Sequence, residues 1–158
     1  MKKARLPNCG TVFLVPLRNG GYGIGVLVRA DGKGRAFGSF FGPRIASSDE
    51  ISNFDLQMKN AIFSCRFGDH GLYKKSWNVV GAVPDWNPEQ WPMPKFSRQH
   101  DDASRYYVTE YDDNLGVLSE TIVPASEALN LPEDVQFGSG IIEIKLDNLL
   151  ASSFDKKN

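Results

Sequence analysis

The sequence predicts a mainly β chain of the α+β class, built on a strongly curved antiparallel sheet or a small barrel. Three observations carry that prediction. Runs of β-branched and aromatic residues alternate with period two, glycine, asparagine and aspartate punctuate them at short intervals, and helical spacing of apolar residues recurs only near the C-terminus. With 158 residues, one domain over 1–158 is expected, long enough to bury about 70% of its unfolded surface without disulfide staples.

The first strand is expected over residues 11–17, TVFLVPL. Arg18-Asn-Gly-Gly21 follows, with residues that tolerate the positive φ of a tight hairpin. Residues 22–28, YGIGVLV, form the second strand, with Tyr22, Ile24, Val26 and Val28 on one face and Gly23, Gly25 and Leu27 on the other. The glycine run at Gly21, Gly23 and Gly25 invites a dinucleotide-binding reading, which needs a helix opening directly after the glycines. A β-branched run follows them instead, and no Gly-Lys-Ser or Gly-Lys-Thr is present. Bare glycine positions on one face instead allow a bulky side chain or another backbone to approach closely.

Asp31-Gly-Lys-Gly34 makes the next turn and residues 35–41, RAFGSFF, a third strand. Ala46-Ser-Ser-Asp49 offers an N-cap for a short helix near 48–58. Residues 60–67 alternate Ala61, Phe63, Cys65 and Phe67 against Ile62, Ser64 and Arg66, as a strand with one apolar face does. After a turn at 69–72, residues 77–83 read as a further strand. The stretch PDWNPEQWPMPKF carries Pro84, Pro88, Pro92 and Pro94, a density that predicts an extended polyproline-like segment. Within it, Trp86 and Trp91 read either as anchors pinning the loop to the sheet or as exposed hot spots for a partner. Strands are expected at 106–111 and 117–123, joined by a turn at 112–116, then a short helix at 124–129. Ile142, Leu146, Leu149 and Leu150 share one face of a C-terminal helix expected to pack over the sheet.

Net charge is −1, so nothing global argues for nucleic acid or an acidic membrane. The distribution is uneven: residues 1–44 hold eight bases against Asp31, and residues 101–143 hold ten acids against Arg105. Such asymmetry marks a charged binding face unless the two halves pair in space, as interleaved strands readily allow. Cys9 and Cys65 have no CxxC or Cys-His spacing and read as small buried thiols of a reducing compartment, with one disulfide between them as the alternative. The basic N-terminus lacks an apolar run after it, and no stretch approaches the ~20 residues of a membrane span. A cytoplasmic protein is expected.

Local signals for catalysis are missing. His70 and His100 stand beside acids, but no HxH, HExxH or G-x-S-x-G spacing occurs, and neither a metal site nor a cofactor is expected. The pairs Asp101-Asp102 and Asp112-Asp113 sit at turns, where acids are common for backbone reasons. Interleaved bases and aromatics in RAFGSFFGPR keep a small nucleic-acid-binding barrel as the alternative function.

The order of residues resembles the immunity protein 26 family. Gly10, Val12, Phe13, Pro16, Leu17, Gly20 or Gly21, Tyr22, Gly23, Gly25 and Val26 stand where that family has its opening glycine, strand and glycine-rich second strand. Gly71, Leu72, Trp77, Gly81, Pro84, Pro92 and Phe96 resemble its central block, with Ser76 where a glycine often precedes the tryptophan. The resemblance spans roughly residues 6–150. It implies a bacterial immunity protein that binds and neutralises a cognate polymorphic or contact-dependent toxin, and it carries over no catalytic residues. A nuclease toxin with a basic active site would suit a face of carboxylates and indoles, for which Trp86, Trp91, Asp101, Asp102, Asp112 and Asp113 are the expected partner-binding residues.

Overall fold

The computed structural model describes residues 7–155, with side chains as far as residue 150. Strands β1 (Thr11–Pro16), β2 (Tyr22–Ala30) and β3 (Arg35–Ile45) form the expected antiparallel meander, β3 running on past Phe41. β4 (Phe63–Gly68) adds beside β3, a one-turn helix α1 (His70–Tyr73) follows, and β5 (Val79–Ala82) returns to pair with β1. A second sheet holds β6 (Phe96–Gln99), β7 (Arg105–Tyr111) and β8 (Val117–Pro124). β9 (Gln136–Phe137) then lies parallel to β4, and α2 (Ser139–Asp155) ends the described chain.

The large sheet has the order β5-β1-β2-β3-β4-β9 and does not close, so an open curved sheet replaces the barrel alternative. Register shifts within the β1–β5 and β2–β3 pairs bend it. Closure is unnecessary because both faces are already covered. Ile24, Val26, Val28, Phe37 and Phe41 pack with Trp91, Phe96 and Leu115 from the second sheet and its loops. Phe13, Leu27, Phe40, Phe67 and Trp77 pack on the opposite side with Ile142, Leu146 and Leu150 of α2.

The glycines of β2 are what let the second layer sit so close. A Cβ on Gly23 would lie 3.1 Å from Leu146 Cδ1, and one on Gly25 would clash with the Cε2–Cζ edge of the Phe13 ring. Phe13 has no room to yield: it is fully buried and stacked on Trp77 at 5.5 Å and 6°. The hairpin before β2 has Gly20 and Gly21 at φ +99° and +73°, as its turn requires.

Several expectations are corrected. The helix near 48–58 is two separate 3-10 turns, Ser48–Asn53 and Met58–Asn60, and the one at 124–129 shrinks to Ala125–Glu127. Proline does not keep the 84–96 segment wholly extended, because Pro88 stands at the start of a 3-10 turn Pro88–Gln90, where its missing N–H costs nothing. Trp77 precedes β5 rather than belonging to it, and its indole Nε1 donates to Glu143 of α2 at 2.9 Å. Leu149 is exposed while its neighbours Leu146 and Leu150 are buried. Cys9 is exposed and Cys65 buried, and both are free thiols.

The two sheets are joined through Arg66 of β4, whose Nη2 meets Asp134 Oδ1 at 2.7 Å. The Tyr111 hydroxyl of β7 donates to the same oxygen at 2.6 Å. Burial, and then that hydrogen bond to Asp134, push the Tyr111 phenol up to about 12. Burial likewise pushes the Cys65 thiol up to about 12.

Two predictions follow from this packing. Gly25→Ala should destabilise by about 1–3 kcal/mol in urea unfolding, the cost of overpacking. Gly81→Ala, where a Cβ meets open space, should change little. The second concerns alkaline pH. The fold prefers neutral Tyr111 and Cys65, so their contribution is complete below the unfolded values of 10.0 and 9.0 and is lost as pH rises through about 12. Melting temperature should therefore fall above about pH 9, and Tyr111→Phe and Cys65→Ala should each flatten that fall relative to their own neutral-pH value.

Candidate partner-binding face

The six residues singled out from sequence divide between the two ends of β7. Asp101 and Asp102 lie in the turn before it and Asp112 and Asp113 in the turn after it. Seven residues of strand separate the pairs, about 20 Å at the rise of an extended chain. The tryptophans belong with the second pair. Arg29 connects them: its Nε meets Asp113 Oδ1 at 2.9 Å and its Nη2 donates to the Pro88 carbonyl at 3.4 Å.

The indoles differ in accessibility. Trp91 is buried at 3% and meets Phe41 edge-on at 6.1 Å, so it is an anchor of the loop. Trp86 is half-buried, 5.4 Å from Trp91, and lies over Gly10, where a Cβ would come within 2.7 Å of the indole. Gly10 also sits at φ +91°, so both its backbone and the ring above it favour glycine.

Each carboxylate has its own surroundings. Asp112 Oδ1 accepts from the backbone N–H of Asn114 at 2.8 Å and of Gly116 at 2.9 Å, closing the β7–β8 turn. The Asp113 side chain is 82% exposed, although its partner Arg29 is only 9% exposed. Asp102 accepts from Ser104 Oγ at 2.7 Å and Ser104 N at 3.0 Å, and those bonds hold its carboxyl below the usual range. Asp101 is exposed, with no hydrogen-bond or ionic partner among the described residues.

Sequence reasoning weighed His100 only as a metal or catalytic candidate and did not single out Arg98, Tyr107 and Ile122, with which it clusters on the second sheet. The Arg98 guanidinium stacks over the Tyr107 ring at 4.0 Å, the His100 ring lies 4.8 Å from it, and Ile122 is Tyr107's cross-strand neighbour on β8. Alternation of bases with aromatics in FSRQ and RYYV was the available signal, once β6 was recognised as a strand. A groove of about 1050 Å³ also escaped notice, between the 51–59 segment and β5, with Val12 and Trp91 in its wall. Among the described residues no group of three His, Cys, Asp or Glu side chains could hold a metal ion, and no helix is long and apolar enough to cross a membrane.

The halves of the chain pair only in places. Arg29 with Asp113 joins the basic N-terminal third to the acidic segment, and Arg44 with Asp147 joins β3 to α2 at 2.9 Å. Arg35 pairs locally with Asp31. Asp113→Asn should cost about 1–3 kcal/mol, because a nearly buried guanidinium loses its charged acceptor. Asp101→Asn should leave the urea midpoint unchanged, and equal effects of the two would show that Asp113 does not balance Arg29.

No curated protein and no solved structure matches the chain. A family model does, the one described as Immunity protein 26, over residues 8–108. That is less than the 6–150 span over which the sequence resembles the family, yet it is 101 of 158 residues and runs from the approach to β1 into β7. The chain belongs to the Immunity protein 26 family.

Proposed function

We propose that this immunity protein works in the cytoplasm by binding a cognate polymorphic toxin domain and blocking it, without catalysis of its own. Membership of the Immunity protein 26 family is the observation that carries the reading. The toxin is proposed to present a basic surface, as a nuclease active site built for phosphates does. On the immunity side, Asp113 and the exposed part of Trp86 would form one end of the docking face and Asp101 and Asp102 the other. Asp112 and Trp91 would support it from behind, one closing the turn and the other anchoring the loop. Exposed carboxylates on a rigid hairpin steer a basic partner and accelerate its association.

Growth of cells expressing a toxin domain captured by this chain in a pull-down, with and without the immunity protein, tests neutralisation directly. Asp101→Lys then tests the face, since Asp101 holds no fold contact among the described residues. The association rate should fall about tenfold or more at low salt and much less near physiological salt, where charges more than about 8 Å apart are screened. The melting temperature should stay unchanged. An unaltered association rate at low salt would remove Asp101 from the interface.

A further inference from the structure

We propose that the outer edge of β8 is a docking edge, which takes an added strand bearing lysine or arginine from the toxin domain. This rests on the immunity reading for the identity of the partner, but the edge itself is argued from the fold. β6, β7 and β8 make a three-stranded sheet with two edges. The β6 edge is closed by the chain itself: Ser97 N donates to the Pro132 carbonyl at 2.9 Å, and Asp134 N donates to the Ser97 carbonyl at 2.7 Å. Along β8, residues 117–123 make no backbone hydrogen bond outside the β7 pairing among the described residues.

The phase of the ladder identifies the free groups. Ala125 N donates to the Ser104 carbonyl, and antiparallel partners alternate between bonded and non-bonded pairs. Val123, Thr121 and Ser119 therefore turn their amides toward β7, and Ile122 and Glu120 turn theirs outward. The other side of β7 has the matching phase, since His100 N donates to the Arg105 carbonyl. Pro124 falls on the outward phase, where an edge strand tolerates a missing N–H.

An edge strand is normally blunted by charge, proline or a bulge, or covered. β8 has a bulge at Leu118 near one end and Pro124 at the other, leaving the regular stretch Ser119–Val123 without either. β8 has neither lysine nor arginine, and its one charge, Glu120, is engaged by Arg98 at 3.0 Å. Val117, Leu118 and Ile122 are 64%, 66% and 50% exposed. The charge around the edge selects the occupant. Residues 96–127 hold seven carboxylates (Asp101, Asp102, Glu110, Asp112, Asp113, Glu120, Glu127) against Arg98 and Arg105, and with Arg29 balancing Asp113 the net is −4. A second copy pairing across this edge would set like charge against like, whereas a basic strand would be attracted to it. β8 also lies outside residues 8–108, beyond the stretch matched to the family.

The test uses the full chain and a fluorescein-labelled peptide of alternating lysine and valine, as long as β8. Fluorescence anisotropy should show saturable binding that weakens about tenfold or more from low to physiological salt. Ile122→Pro removes an outward N–H without touching the β7 ladder, and should abolish binding while the protein still melts cooperatively. If that variant fails to fold, the same peptide with alternate backbone N-methyl groups, offered to the wild type, should fail to bind. Absence of binding, or binding indifferent to both changes, overturns the proposal. So does a wild-type dimer in sedimentation that Ile122→Pro converts to monomer, since the occupant is then a second copy. Toxin protection separates this inference from the reading beneath it. Full protection by folded Ile122→Pro sinks the edge and leaves the immunity role, whereas no protection by the wild type sinks the role and with it the strand's assignment to a toxin.

Discussion

The guanidinium of Arg66 is the point at which the two sheets are held together. It projects from β4, meets Asp134, and lies 4.6 Å from the Tyr111 ring centre and 5.8 Å from that of Phe96. Tyr111 belongs to β7 and Phe96 to β6, and Asp134 is itself bonded through its backbone N–H to β6. Four segments distant in sequence therefore share one nearly buried cation. Its Nε has no hydrogen-bond partner among the described residues and is left to the aromatic faces around it. A buried ion pair of this kind contributes little net stability but is costly to break from one side, so it serves best to define how the layers meet. The position of the β7–β8 hairpin, and with it the proposed docking edge, depends on that definition.

On the other face of the large sheet, fit sets the spacing and a buried ion pair fixes the helix in place. Small residues beneath α2 and beneath the Phe13–Trp77 stack bring helix and sheet close, and the helix is then tied at its flank. Asp147 receives Arg44 Nη2 at 2.9 Å and both the backbone N–H and the side-chain amide of Asn19, from the β1–β2 turn. The turn predicted from two glycines is thus also the place where the C-terminal helix is fastened to the meander.

What could be read in advance follows from locality. The alternation in β2 announced both faces of the sheet, and the separation of Ile24, Val26 and Val28 from Gly23, Gly25 and Leu27 is the one observed. The hairpin, the meander, the β7–β8 pair and α2 are likewise set by neighbours in sequence. β6 escaped because four residues after a proline-rich run carry too short a pattern, and β9 because two residues carry none. Leu149 satisfied the helical spacing but lies on a flank that no layer covers. The candidate face was legible in residue type alone. That Asp101 and Asp113 flank one strand followed from the local pattern, whereas the sealing of Trp91 inside and the reach of Arg29 to both the Pro88 loop and Asp113 depend on long-range pairing.

Arg29 gives the face a further property. Its charge is almost wholly enclosed, while the carboxylate that balances it points into solvent. Asp113 is thus a counter-ion shared between the interior and any cation that approaches from outside. A basic partner that draws Asp113 outward weakens a contact of the fold, and the fold's hold on Asp113 in turn discounts what that carboxylate offers the partner. On the proposed docking face, folding and recognition would be linked through this one side chain, because a partner that broke the Arg29 contact would cost the fold part of what it gained at Asp113.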